Sequence, residues 1–280
     1  MQRGWLCWYH CPIMLPDFRI GQIIIRSYAL MLDVAIVVGL LLLGVFGALD
    51  DEKRPDAWVD AGLGALVGGI VGGRLGHVGI YWRYFAEHPE SIVKVWQGGL
   101  DWHGAVLGGL LALLLVCRVR QVGFRQISDA LAFVLPMGAA LAYTGCLMVS
   151  CGHGREVISL ADIHPPIALE LPDLYGVVAP RLASQLYGVV FSLLLIGVAG
   201  LLAWRIAHPG VRFWLVLALL ALGTFGIGFT RGDSVPMVGA LRLDQVLDLL
   251  TAAGALATAA LAARPIQPKP IQLPTWPEQI

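Results

Sequence analysis

Seven apolar runs, each close to the length needed to cross a bilayer, constrain this chain more than any other feature. They lie at 28–49, 58–81, 98–117, 127–149, 185–204, 212–230 and 243–263. A helix needs about 20 such residues to span roughly 30 Å of hydrocarbon. Inside lipid every backbone N–H and C=O must be bonded within the segment or its neighbours, so each run is predicted to be a helix. The fold class is therefore all-α: a polytopic membrane protein with about seven transmembrane helices and short periplasmic arms. Hydrophobic residues make up 58% of the 280 and charged residues 14%, whereas soluble domains carry about 25% charge. A single water-soluble core is excluded.

The runs divide the chain into three parts. Residues 1–27 read as an N-terminal periplasmic or interfacial arm, 28–263 as the seven-helix domain, and 264–280 as a cytoplasmic tail. The tail holds Pro265, Pro268, Pro270, Pro274 and Pro277, too many for a helix, and is predicted to be disordered. The arm lacks the basic head and clean apolar run of a cleavable signal, so the first span is expected to serve as the targeting segment. Lys and Arg fall nine on each side of the membrane, with Arg74 alone inside a span. Shorter loops after spans one, three and five favour an N-terminus outside. Lys+Arg and Asp+Glu are balanced at 19 each, which removes the basic surplus that a nucleic-acid binder needs.

Polar groups within or beside the spans are the functional candidates, because burying them in lipid is costly. Arg74, in GGIVGGRLGHVGIYW, is the deepest charge; its bland alternative is snorkelling, or pairing with a carboxylate such as Asp101. His103, in WQGGLDWHG, is a candidate general base because an imidazole titrates near pH 6.5. A third cluster runs from Tyr143 to Glu156 and holds Cys146, Cys151, His153 and Arg155. Its C-x4-C-x-H spacing lacks a second ligand pair, so neither a metal nor another cofactor is expected. Cys7, His10 and Cys11 reach that cluster only if the arm folds back. Tyr28, Asp33, Asp129, Gln185 and Tyr187 intrude on other spans, and Arg231 with Asp233 ends the sixth.

Read in order, GGRLGHVGIYW, VWQGGLDWHGAVLGG, TGCLMVSCGHGRE, SQLYG and FTRGD resemble the blocks of the bacterial prolipoprotein diacylglyceryl transferase family. The resemblance covers about 25–262 and is most specific around His103. It implies a seven-helix enzyme of the bacterial inner membrane, with phosphatidylglycerol and a prolipoprotein signal peptide as partners. The reaction moves a diacylglyceryl group onto a lipobox cysteine thiol. By the same resemblance His103 and Tyr28 are catalytic. Arg74, Gly154, Arg155, Gln185, Tyr187 and Arg231 bind substrate, the arginines as a phosphate clamp.

Some positions depart from the family pattern. Tyr143 stands where the family has an arginine, Cys146 where it has asparagine, and Cys151 where it has glutamate. An arginine and a glutamate fall on Thr224 and Gly228, the glutamate of the SQLYE block on Gly188, and the proline before it on Ala183. Losing one preorganised cation commonly costs about 2.7–4 kcal/mol in the transition state. Two alternatives follow: a divergent transferase in which the Cys146 or Cys151 thiol carries a group, and a non-catalytic lipid- or lipoprotein-binding relative.

Overall fold

The computed structural model describes residues 18–20, 23–158, 166–173 and 175–264. Cys7, His10, Cys11 and the proline-rich tail beyond Arg264 lie outside the described residues. After an antiparallel pair, β1 (Phe18–Ile20) and β2 (Ile23–Ile25), come the helices α1 (Ser27–Leu49), α2 (Pro55–Ile80), α3 (Trp82–Glu87), α4 (Trp102–Arg120) and α5 (Phe124–Val149). A second pair, β3 (Ala168–Pro172) and β4 (Val178–Leu182), precedes α6 (Ser184–Arg205) and α7 (Val211–Gly228). The pair β5 (Met237–Val238) and β6 (Leu241–Arg242) leads into α8 (Leu243–Ala262). All these helices except α3 are long and apolar enough to span a membrane. At about 1.5 Å per residue even α7, with 18 residues, reaches about 27 Å.

Helix boundaries differ from the apolar runs where capping chemistry intervenes. Pro55 opens α2 ahead of its run, because a proline at the first helical position loses no needed N–H. The third helix starts at Trp102 rather than residue 98: Gly98 and Gly99 have φ of 87° and 78°, and Asp101 caps the helix by accepting from the Gly104 N–H at 2.6 Å. The predicted loop 82–97 contains α3 and two 3-10 turns, Pro89–Ser91 and Val95–Gln97.

Helices α2 and α4 meet along a seam of small residues, with backbone directly on backbone where Gly68 and Gly72 face Gly104 and Gly108. Gly64, Gly68, Gly72 and Gly76 recur every fourth residue on α2, facing Gly104, Gly108, Ala112 and Val116 of α4. A Cβ on Gly68 would stand 2.5 Å from the Gly108 carbonyl oxygen, and one on Gly72 would overlap the Gly104 carbonyl oxygen. Small residues at this spacing are how membrane helices gain close packing when lipid supplies no hydrophobic drive.

Leu43, Trp58, Leu113 and Ile127 fill the interior between α1, α2, α4 and α5. Ala132, Leu195, Val216 and Leu220 fill it between α5, α6 and α7. Outward-facing Leu41, Leu107, Val119, Leu194 and Leu250 are exposed, as expected where the bilayer is the solvent. Asp129 of α5 accepts from the Gly210 and Phe213 amides at 2.8 and 3.1 Å and pairs with Arg212 at 3.0 Å. It thereby caps α7 from a neighbouring helix. The opposite end of the bundle, where α2, α5 and α7 finish and α1, α4, α6 and α8 begin, holds the candidate site.

Candidate active site

Arg74 is 7% exposed and lies one turn and a half before the end of α2. Its five N–H groups point at five carbonyl oxygens of the loop that follows: Nε donates to Ile92 at 2.8 Å, Nη1 to Gly98 and Gly99 at 2.6 and 3.0 Å, and Nη2 to Ser91 and Lys94 at 2.5 and 3.4 Å. The guanidinium also stacks over Phe85 at 5.2 Å. It does not pair with Asp101, and its donors are engaged by the loop backbone. It shapes the loop. Gly99 is required there twice over, by its positive φ and because a Cβ would lie 2.5 Å from His77 Nε2 and 3.0 Å from Arg74 Nη1.

His103, in the first turn of α4, is 5% exposed and bridges two carboxylates. Nδ1 stands 3.1 Å from Asp101 Oδ1, and Nε2 stands 3.0 Å from Asp248 Oδ1 of α8. The same Asp248 oxygen accepts from Thr224 Oγ1 of α7 at 2.9 Å. This four-residue chain joins three helices. A free general base needs an open lone pair, and both ring nitrogens here face acceptors, the arrangement that suits an imidazolium donating from each. To take a proton directly from a substrate, His103 has to give up one of these two carboxylates. Sequence reading missed Asp248; the available signal was an acid in an otherwise apolar run, four residues after Asp244.

Beside this chain opens a cavity of about 180 Å³ lined by Tyr143, Cys146, Cys151, Ser184, Gln185 and Arg231, among others. Cys146 and Cys151 form a disulfide with Cα atoms 4.7 Å apart. The reading of either as a free nucleophilic thiol is corrected by that bond. Tyr143 of α5 forms part of the cavity wall. Its ring occupies the space beside Gly188, where a Cβ would meet it at close contact. Gln185, 1% exposed, donates from Nε2 to the Cys151 carbonyl at 3.1 Å, while its Oε1 is buried without a partner. Tyr28 packs against Gly145 of α5, and the Tyr187 hydroxyl donates to the Ile167 carbonyl.

Arg231 forms the outer lip of the cavity. It donates to Asp233 through Nε at 2.8 Å and Nη2 at 2.6 Å, and Nη1 lies 3.9 Å from Asp244. Arg242 closes the network on the same two carboxylates. Burial opposes the Asp233 charge, but the Arg231 hydrogen bonds and the two guanidinium charges outweigh it and hold that carboxyl below its usual range. For Arg231 the same pairing outweighs burial in the other direction and raises its value further. Gly154 bridges Arg231 as a strand partner, and a Cβ there would collide with the Leu182 carbonyl. Arg155 is exposed, and no side-chain partner for it exists among the described residues.

The structure thus gathers Gln185, Arg231 and both cysteines around one cavity, with Gly154 against Arg231, and leaves Arg74 and His103 behind it in closed networks. The Thr224 hydroxyl supports Asp248, and Gln245 fills the space at Gly228, where a Cβ would lie 2.8 Å from its Cγ.

Residues 17–261 match the family model described as prolipoprotein diacylglyceryl transferase. The chain belongs to this family. Among its relatives, the protein of Nostoc sp. named phosphatidylglycerol–prolipoprotein diacylglyceryl transferase is 31% identical over 237 residues, 82% of this chain and 83% of that one. The protein of the same name from Thermosynechococcus vestitus is 30% identical over 263 residues, 92% of this chain and 94% of its own. A third, from Symbiobacterium thermophilum, is 32% identical over 232 residues, covering 82% and 85%. The sequence blocks that suggested the family lie within this match.

Proposed function

We propose that this multi-pass membrane protein is a phosphatidylglycerol–prolipoprotein diacylglyceryl transferase. A peptide cysteine thiolate attacks the diacylglyceryl carbon of the lipid, an S–C bond forms, the C–O bond to phosphate breaks, and glycerol phosphate leaves. The observation that carries this reading is the Arg231 guanidinium at the lip of a cavity in a chain of this family. A cation there stabilises both charges of the reaction, the incoming thiolate and the departing phosphate. Arg155 is the second cation of the clamp, being exposed and without a described partner. Gln185, Tyr28 and Tyr187 supply polar support, and Gly154 allows the loop to reach Arg231. Arg74 and His103 are positioning residues in this reading. Arg74 fixes the loop before α4, and His103 holds Asp248 of α8, which in turn accepts from Thr224 of α7.

The end of the bundle bearing the site, with the N-terminus, faces outward from the bacterial inner membrane. Lys and Arg counts alone are tied; the Cys146–Cys151 disulfide favours this side, since disulfides persist in oxidising compartments. Transfer of labelled diacylglyceryl from phosphatidylglycerol to a lipobox peptide by purified protein tests the reading, with Arg231→Ala and His103→Ala alongside. Product that depends on Arg231 is expected. Retention of phosphatidylglycerol with no product would instead favour a non-catalytic lipid-binding relative, a reading supported by the closed pairing of His103.

A further inference from the structure

The Cys146–Cys151 bridge has no role in the transfer reaction, yet it forms part of the wall that a substrate would meet. Both residues line the cavity together with Arg231. Gly152, the residue after Cys151, lines it too, and a Cβ there would lie 3.8 Å from Arg231 Nη2, which places the backbone of this turn, though not the sulfurs themselves, against the guanidinium. A thiolate released at this wall would therefore form in a cavity that a cation also lines, the condition that makes thiolates good leaving groups and nucleophiles.

The bridge is also not what holds this corner together. It joins residues only five apart, and a short closed loop removes less freedom from the unfolded chain than a long one, about 2 kcal/mol here. The same segment is already fixed by Gln185 Nε2 donating to the Cys151 carbonyl at 3.1 Å, the Gly232 N–H to His153 at 2.9 Å, and the Arg155 N–H to Thr230 at 2.8 Å. Cys117 offers the contrast within one molecule, since it is 2% exposed and packed in the core between α1, α2, α4 and α5. A cysteine placed only for packing looks like Cys117.

We propose that Cys146–Cys151 is a reversible thiol–disulfide exchange site that takes the thiol of a cysteine-bearing peptide entering the cavity. The peptide thiol gives its proton to water, and its thiolate attacks one sulfur of the bridge. The Cys146–Cys151 bond breaks as a peptide–protein disulfide forms, and the other cysteine leaves as a thiolate in the cavity that Arg231 also lines. One disulfide replaces another, so no external oxidant or reductant is consumed. Attack by the released thiolate on the mixed disulfide restores the bridge and returns the peptide thiol. The site thereby holds an acceptor cysteine covalently and reversibly at the cavity wall. The inference rests on the transferase reading only for the source of that thiol.

The test uses the full chain in detergent with Cys7, Cys11 and Cys117 replaced by Ser, so that the bridge supplies the only cysteines. A synthetic lipobox peptide with one cysteine is added, free thiols are trapped with N-ethylmaleimide, and the intact mass is read without reductant. The expected product is heavier by one peptide and one maleimide, is reversed by dithiothreitol, and is absent with a peptide carrying Ser for Cys. In the wild-type chain, proteolytic mapping is expected to find the peptide on Cys146 or Cys151. An adduct that forms only after unfolding in guanidinium, or maps only to other cysteines, overturns the proposal. Diacylglyceryl transfer is measured on the same samples: adduct without transfer sinks the transferase reading alone, and transfer without adduct sinks the exchange site alone.

Discussion

Around Arg74 and His103 the donors and acceptors are answered by other protein atoms, whereas the cavity under Arg231 leaves the Gln185 Oε1 unanswered and a disulfide in its wall. The two regions adjoin at one end of the bundle and use the same residue types. In the first, an arginine and a histidine tie segments distant in sequence into one framework. In the second, an arginine held by Asp233 lies one-third exposed at a rim, where a ligand can compete with that carboxylate for it. A charged residue in a membrane protein is therefore read by what already occupies its donors, not by depth alone.

Substitutions that sharpen this contrast should alter stability in the closed region and turnover in the open one. The largest effect is expected from Gly72→Leu, which drives a side chain into the α4 backbone; a loss of about 4 kcal/mol or more leaves little folded protein, read as monodisperse yield. His103→Ala leaves the Asp101 and Asp248 carboxylates buried without their shared partner, a loss of about 3–5 kcal/mol seen in thermal unfolding. Arg231→Ala should shift the balance: Asp233 keeps Arg242, so about 1–2 kcal/mol of stability is lost, while transfer by the folded protein is slowed by about 2.7–4 kcal/mol in the barrier, roughly 10²–10³-fold. Wild-type transfer rates in Arg231→Ala would erase the distinction between the regions.

Arg74→Lys is a smaller perturbation. An ammonium cannot reach five carbonyls in a plane, so about 1–3 kcal/mol of stability should be lost, with transfer reduced in proportion to the folded fraction. The smallest effect is that of pH on the rim. Because the folded Asp233 carboxyl is held below its usual value, its stabilisation is fully present above the ordinary aspartate pKa and fades as pH falls through the lowered one. Unfolding temperature measured down that range should fall less for Asp233→Asn than for the wild type.

The seven spans were legible because an apolar run of bilayer length has one structural solution. Arg74 and His103 were legible as candidates because a polar group in such a run stands out, but their partners were not. Asp248 lies 145 residues from His103, and no local pattern predicts that meeting. The surroundings of Arg74 were hidden for the same reason: the loop 91–99 brings its carbonyls round the guanidinium. Cys146 and Cys151 carried the spacing of several chemistries, and only the turn at Ser150, with φ of 63°, brings the two sulfurs together. The third helix was misplaced at its start because two glycines beside an apolar run read equally as helix or as turn.

The glycine seam has a consequence for motion. Where side chains separate two helices, rotamer changes let one slide or roll against the other; at the centre of this seam backbone lies on backbone and little can rearrange. Helices α2 and α4 therefore move as one slab, carrying the Arg74 loop and His103 with them at fixed relative geometry. A lipid arriving from the bilayer must part some other pair of helices, and the slab is the fixed wall against which they open.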